Sequence, residues 1–199
     1  MPRPKAYRRE DVVDIAMRLF WERGYHDVST RDLVAEMGLN AHSLYAEFGS
    51  KAGLFAATIE RYERDVVPGY IGHLETPGAG VDTVRAVCRG FTAIASSGEV
   101  APGCLIINSA TERAPTAEES RHTTARYLDR LNAAIAHALD GQPEAEATAR
   151  FLTATLVGLF VMIRARTDPS VVHDAVEAAL DRLPPPSSTP IHHKKKGSL

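Results

Sequence analysis

The stretch from Ser29 to Lys51, STRDLVAEMGLNAHSLYAEFGSK, constrains the fold more tightly than any other part of the chain. Ser29 is a residue whose side-chain oxygen can accept from the free N–H groups of a helix start, and Asp32 follows three residues on, the aspartate variant of a capping box. Val28 and Leu33 flank that cap at the spacing of a hydrophobic staple. Leu33, Val34 and Met37 then give a short helix one apolar face. Gly38 ends it, because glycine tolerates the left-handed conformation at a helix terminus. Asn40 can cap a second helix, Ala41 to Phe48. Leu44 and Phe48, four apart, point inward, while Ala41, His42 and Tyr45 share the opposite side. Ser50 caps a third helix, with Lys51 in its first turn. Two short helices around a glycine turn, with small and polar groups outward on the second, form a helix-turn-helix, whose second helix enters the major groove while the first braces it.

The motif carries more than its outline. GY at 24–25, STRDLVAEMGL at 29–39 and SLYAEFGSKAGLF at 43–55 resemble the N-terminal domain of the TetR/AcrR family of transcriptional repressors. The resemblance is dense over roughly residues 8–60 and diffuse beyond. It implies an all-α protein: an N-terminal three-helix helix-turn-helix DNA-binding domain and a C-terminal helical ligand-binding and dimerisation domain. The expected division is 1–50 for arm and helix-turn-helix, 51–183 for the regulatory and dimerisation domain, and 184–199 for a disordered tail. It also implies a ligand-responsive repressor that binds palindromic operator DNA as a homodimer and lets go when a small-molecule inducer binds.

Charge is read locally, since the formal net charge of the whole chain is only −2. Arg3, Lys5, Arg8 and Arg9 precede the first acid, Glu10, and such an arm can lie against phosphates or in a groove; a solvated terminus is the alternative. No apolar run reaches membrane-spanning length and the N-terminus has no signal-peptide pattern, so the expectation is a cytoplasmic protein without a membrane partner. Two cysteines, Cys88 and Cys104, suggest no disulfide framework.

The remaining helices follow from apolar periodicity. A first helix is predicted from about Arg9 to Arg23, with Val12, Ile15, Ala16, Leu19 and Phe20 inward; Tyr25 and Trp21 read as core. The helix from Lys51 continues to about Val67, where Pro68 and Gly69 break or kink it. Val81–Ser97, a short apolar helix from Cys104 to about Ala110, Thr116 or Ala117 to Leu139, Glu144–Thr167 and a last helix, capped by Ser170, to about Leu183 complete the set. The Glu144–Thr167 helix is apolar on more than one face and must be covered on more than one face. By the resemblance, it and the last helix pair with their twins, with Phe151, Thr155, Gly158, Leu159, Met162, Val172, Val176 and Ala179 at the dimer interface; an intramolecular core is the alternative. PPPSSTP at 184–190 is a linker or tail by composition, and HHKKK at 192–196 lacks the acidic or cysteine partners of a metal site.

The resemblance assigns the DNA contacts residue by residue. Ser29 and Thr30 would hold a phosphate at a helix N-terminus. Arg31 would reach a guanine edge, or else a phosphate or a nearby acid. Ala41, His42 and Ser43 would face bases, and Tyr45 and Lys51 would hold phosphates. His42 departs from the small residue or proline of many relatives, which bears on the operator sequence. An inducer pocket would draw on Tyr62, Cys88, Phe91, Ile107, Asn108 and Tyr127.

Two other readings stand beside this one. Cys104 follows a Pro-Gly turn and starts a predicted helix, where the positive dipole end can lower a thiol pKa; that suggests a thiol-based sensor of oxidants or electrophiles, against the reading as a buried small hydrophobe. A helical dimeric scaffold without DNA binding is the other. No nucleophile elbow, phosphate-binding glycine loop, zinc spacing or Rossmann fingerprint is present, so neither enzymatic activity nor a metal or other cofactor is expected.

Overall fold

The computed structural model describes residues 7–98, 101–112 and 117–185, and all the regular elements among these are α-helices. In chain order they are α1 (Arg9–Arg23), α2 (Thr30–Met37), α3 (Ala41–Phe48), α4 (Lys51–Asp65), α5 (Val67–Glu75), α6 (Val81–Ser96), α7 (Leu105–Thr111), α8 (Ala117–Ala138), α9 (Ala145–Arg164) and α10 (Pro169–Leu180). Arg3, Lys5 and the tail from residue 186, with its HHKKK run, lie outside the described residues.

The chain starts its first helix with Glu10 and Asp11 in the opening turn, where acidic groups complement the positive end of the dipole. α1 buries Val12, Val13, Ala16 and Phe20, and its principal neighbour is α4. Phe20 meets Phe55 edge-on with ring centroids 5.1 Å apart, and Tyr25 meets Phe55 at 5.0 Å. An Arg61–Asp14 fork, at 2.9 and 3.2 Å, ties the outer sides of the same two helices. Leu54 and Phe55 of α4 are therefore packed into the same core as α1.

The expected break at Pro68–Gly69 is a change of helix. α4 stops at Asp65 and α5 begins at Val67, a short helix the sequence reading left unassigned. Proline is tolerated in the first helical turn, where its missing N–H would have no partner anyway. Val67, Ile71 and Leu74 then repeat at i, i+4 and i+7 and are all buried. The last helix is capped by Asp168, whose carboxylate accepts from the Ser170 N–H at 2.9 Å, so Ser170 is inside the helix.

α9 corrects one expectation. It is 20 residues long and apolar enough, by length and composition, to cross a membrane. It contacts α6, α7, α8 and α10 and buries Leu152, Leu156, Leu159, Phe160 and Ile163 on one side, while most of its length keeps some exposure in the single chain. Leu159, Val172, Val176 and Ala179 are buried within a single chain, so they stand behind any partner-facing surface instead of on it. Phe151, Thr155, Gly158 and Met162 keep partial exposure. Val161 and Val171, 49% and 47% exposed, mark an outward apolar face of α9 and α10 that the sequence candidates did not include.

Gly53 is needed for close approach. A Cβ there would run into the carbonyl oxygen of Phe48, so α3 and α4 meet backbone to backbone. Gly53→Ala is expected to lower the thermal midpoint by roughly 2–10 °C, read by circular dichroism, because overpacking of about 1–3 kcal/mol has no flexible side chain to absorb it.

Candidate nucleic-acid interface and its link to the helical domain

The two short helices are built as their sequence requires. Ser29 caps α2, its hydroxyl oxygen accepting from the Asp32 N–H at 3.1 Å, while the Ser29 N–H donates back to Asp32 Oδ2 at 2.8 Å. The Ser29 hydroxyl also donates to Asp32 Oδ2, at 2.6 Å. These bonds hold the Asp32 carboxyl below the usual carboxylate range, with Arg23 and Arg31 adding to the effect. Val28 and Leu33, the staple pair, have no exposed surface. Gly38 adopts φ 63° at the α2 end, the left-handed turn only glycine takes without strain. Asn40 Oδ1 accepts from the Ser43 N–H at 2.8 Å and starts α3.

Leu44, with no exposed surface, anchors the inner side of α3. Ala41, His42 and Tyr45 lie on its exposed side, and Arg31 is exposed at the start of α2. Tyr45 is 42% exposed, and its hydroxyl lies 3.0 Å from Thr30 Oγ1, so one hydrogen bond aligns the middle of α3 with the start of α2. Ser29, Thr30, Arg31, Ala41, His42, Ser43 and Tyr45 thus occupy one surface formed by two helices. Two supports hold that surface from behind. Arg9 faces Glu47 at 3.6 Å and covers the Phe48 ring at 5.1 Å; Arg18 pairs with Glu36 at 3.3 Å.

Lys51 is engaged differently. Its ammonium lies 4.3 Å from the centroid of the Tyr25 ring. Burial draws its pKa down, opposed by the charges of Glu112, Asp27 and Asp32. Glu112 ends the segment after α7, and its Oε2 accepts from the Tyr25 N–H at 2.6 Å. The end of α1 is fastened twice more. The Trp21 indole N–H donates to the Gly103 carbonyl at 2.9 Å, and Arg164 Nη1 of α9 donates to the carbonyls of Trp21 and Pro102, each at 3.0 Å. The α1 terminus, the Pro102–Gly103 loop, Glu112 and α9 are therefore one hydrogen-bonded junction between the helix-turn-helix unit and the rest of the molecule. Trp21, read from sequence as plain core, is half-buried and central to it. Only the contacts of the fold could reveal that, since its partners are 82 and 143 residues away.

Open space lies against α5 and α6. A cleft of about 870 Å³ between them is bordered by Tyr70, His73, Asp82, Val87, Phe91 and Ile94. A smaller cavity of about 480 Å³ adjoins it at the junction. Of the six residues the sequence offered for a pocket, Phe91 alone lines either space. Tyr62, Cys88, Ile107, Asn108 and Tyr127 are buried, and the Asn108 amide donates to the Pro102 carbonyl at 2.8 Å. Burial pushes the Tyr62 and Tyr127 hydroxyls up in pKa.

The thiol expectation is corrected too. Cys104 is the N-cap of α7 with no exposed surface. Burial outweighs the helix start and the Ile106 and Ile107 N–H groups, and the thiol pKa is pushed up, not down. Cys88 is pushed up to about 11 by burial.

Comparison with known proteins follows the geometry. Residues 12–58 match the family model described as bacterial regulatory proteins, tetR family. The HTH-type transcriptional repressor ComR of Escherichia coli is 36% identical over 124 residues, 61% of this chain; the match spans 58% of ComR's own length. The uncharacterized HTH-type transcriptional regulator YezE of Bacillus subtilis is 28% identical over 92% of this chain and the whole of YezE. Among solved structures, a cysteine mutant of the TetR family transcriptional regulator CifR, complexed with 26-bp double-strand operator DNA, is 29% identical and superposes with a TM-score of 0.74 over 92% of this chain and all of CifR.

Two measurements check this geometry. By carboxyl-carbon NMR, Asp32 is expected to titrate below an ordinary aspartate, and Ser29→Ala to raise it. An aspartate with a lowered folded-state pKa contributes stability above its unfolded pKa and loses it as pH falls through the folded value. With a thiol-specific chromophore, neither Cys88 nor Cys104 is expected to react at neutral pH until the chain is unfolded; prompt labelling of Cys104 would contradict its burial.

Proposed function

We propose that the chain, whose residues 12–58 match the tetR family of bacterial regulatory proteins, is a regulator of that kind, which reads double-stranded operator DNA with the α2–α3 surface and represses transcription as a homodimer. The observation that carries the reading is the outward set formed by Arg31, His42 and Tyr45 on a scaffold capped and bonded from both ends. An exposed guanidinium and imidazole suit base edges, and the Tyr45 and Thr30 hydroxyls suit phosphates. Lys51 serves from the side, its charge kept near the surface by the Tyr25 ring. Repression is the role in ComR's name, and operator DNA is the partner named for CifR.

The homodimer is supported by the outward apolar face of α9 and α10 around Val161 and Val171. A twofold pair matches a palindromic site, with a recognition helix in each of two successive major grooves. Phe151, Thr155, Gly158 and Met162, partly exposed on α9, are the sequence candidates that remain available to a partner, with the Phe151 ring covered by Arg182 of the same chain. Small-molecule release is supported by the α5–α6 cleft, whose apolar floor and few polar border groups suit an organic inducer. Such a ligand works by favouring the arrangement that cannot hold DNA. The place of action is the cytoplasm, where bacterial DNA is.

Selection of short genomic fragments by the purified protein tests the reading. An inverted repeat is expected. On that fragment Tyr45→Ala should weaken binding across all sequences with the salt slope unchanged, since its hydroxyl carries no charge, whereas Arg31→Ala should relax base preference by about 1–3 kcal/mol at one position per half-site. Equal, sequence-blind binding by all three proteins would exclude it.

A further inference from the structure

We propose that the cavity at the junction is a binding site for a compact, uncharged aromatic molecule, and that Trp21 is the residue through which its occupancy reaches the DNA-binding unit. The inference rests on the ligand-responsive reading above, names the ligand class, and moves the regulatory seat from the α5–α6 cleft to the cavity that adjoins it at Tyr70 and Ile94.

The cavity holds about 480 Å³, within the range of small-ligand sites. Trp21 of α1, Tyr70 of α5, Ile94 of α6, Pro102 and Gly103 of the loop, and Phe160 of α9 border this partly open space; Ser97 is polar, and none of its lining residues is charged. An ion entering it would give up water for no counter-charge, which is unfavourable by several kcal/mol on general transfer grounds. The walls are aromatic on three sides. Tyr70 and Phe160 meet edge-on with centroids 5.6 Å apart, and Trp21 is braced from behind by Tyr62 at 5.0 Å. Such walls offer ring faces and edges to a flat apolar guest.

The same walls are the fastening of α1. Gly103, whose carbonyl accepts the Trp21 indole N–H, lines the cavity, as does Pro102, whose carbonyl shares Arg164 with the Trp21 carbonyl. A Cβ on Gly103 would come within 3.1 Å of the Phe160 carbonyl oxygen, so the loop has no slack toward α9. A guest that seats against Trp21 therefore competes with the contacts that hold the end of α1 in register. The α5–α6 cleft shares Tyr70 and Ile94 with this cavity, but no residue of the DNA-binding unit borders it.

The chain has one tryptophan, so its fluorescence reports this site alone. The test uses 4-nitrotoluene, a neutral contact quencher, and 4-nitrobenzoate, its anionic counterpart, with the full chain. Expected is saturable quenching by 4-nitrotoluene, at least about tenfold weaker for the anion, lost in Ala101→Phe and Ala93→Phe, which fill the cavity from two different elements. Far-UV dichroism identifies a misfolded variant, and the other filled variant then decides. On the selected operator fragment, 4-nitrotoluene should weaken binding by about 5-fold or more, in the range of ordinary allosteric coupling. Linear quenching by both probes, unchanged in the filled variants, overturns the site even where the chain binds its operator. Saturable quenching with unchanged operator affinity overturns the role of Trp21. Saturable quenching by a chain that binds no operator leaves the cavity as a site and overturns its regulatory role together with the function it rests on.

Discussion

The packing of α1 against α4 is the interaction on which the rest depends. Phe20, Tyr25 and Phe55 form one aromatic cluster, and the Arg61–Asp14 fork closes its outer side. α2 and α3 are eight residues each, too short to persist alone in water. They hold their orientation because Val28, Leu33 and Leu44 are seated in that core. Of the exposed positions of α3, Tyr45 also bonds to Thr30 of α2, while Ala41 and His42 are free of the core and can be chosen for recognition.

α1 also carries the consequence outward. Its first turn supports α3 through Arg9, and its last turn is bonded to the Pro102–Gly103 loop, to Glu112 and to α9 through Arg164. A rigid helix fastened at both ends transmits a small displacement at one end to the other. That is the physical content of the coupling proposed for this chain: a bistable contact set at Trp21 biased by what fills the space beside it.

Much of this was legible in the residues. The capping pattern Ser29–Asp32, the glycine at 38 and the caps Asn40 and Ser50 are local chemistry, and each forms as the spacing dictates. The all-α class and the match of residues 12–58 to the tetR family model were legible for the same reason, because the motif is short-range. What failed was long-range. α5 was hidden by Pro68, although Val67, Ile71 and Leu74 carried its period. For Cys104 the helix start suggested a reactive thiol and the sequence equally a buried small hydrophobe; tertiary packing decides for the second. Leu159, Val172, Val176 and Ala179 are apolar at helical spacing whether they meet a partner or their own chain, and the fold sends them inward. Trp21 and Glu112 gave no signal at all, since their roles exist only once α7 and α9 come back to the end of α1.

The central claim is that the α2–α3 surface reads DNA in twofold pairs. Hydroxyl-radical footprinting of the full chain on its selected fragment tests it most directly. The account predicts two protected patches related by a twofold axis, centred about 34–36 Å apart along one face of the duplex, each lost from the pattern when Tyr45 is replaced by alanine. A single patch, or two patches that survive Tyr45→Ala unchanged, would contradict it.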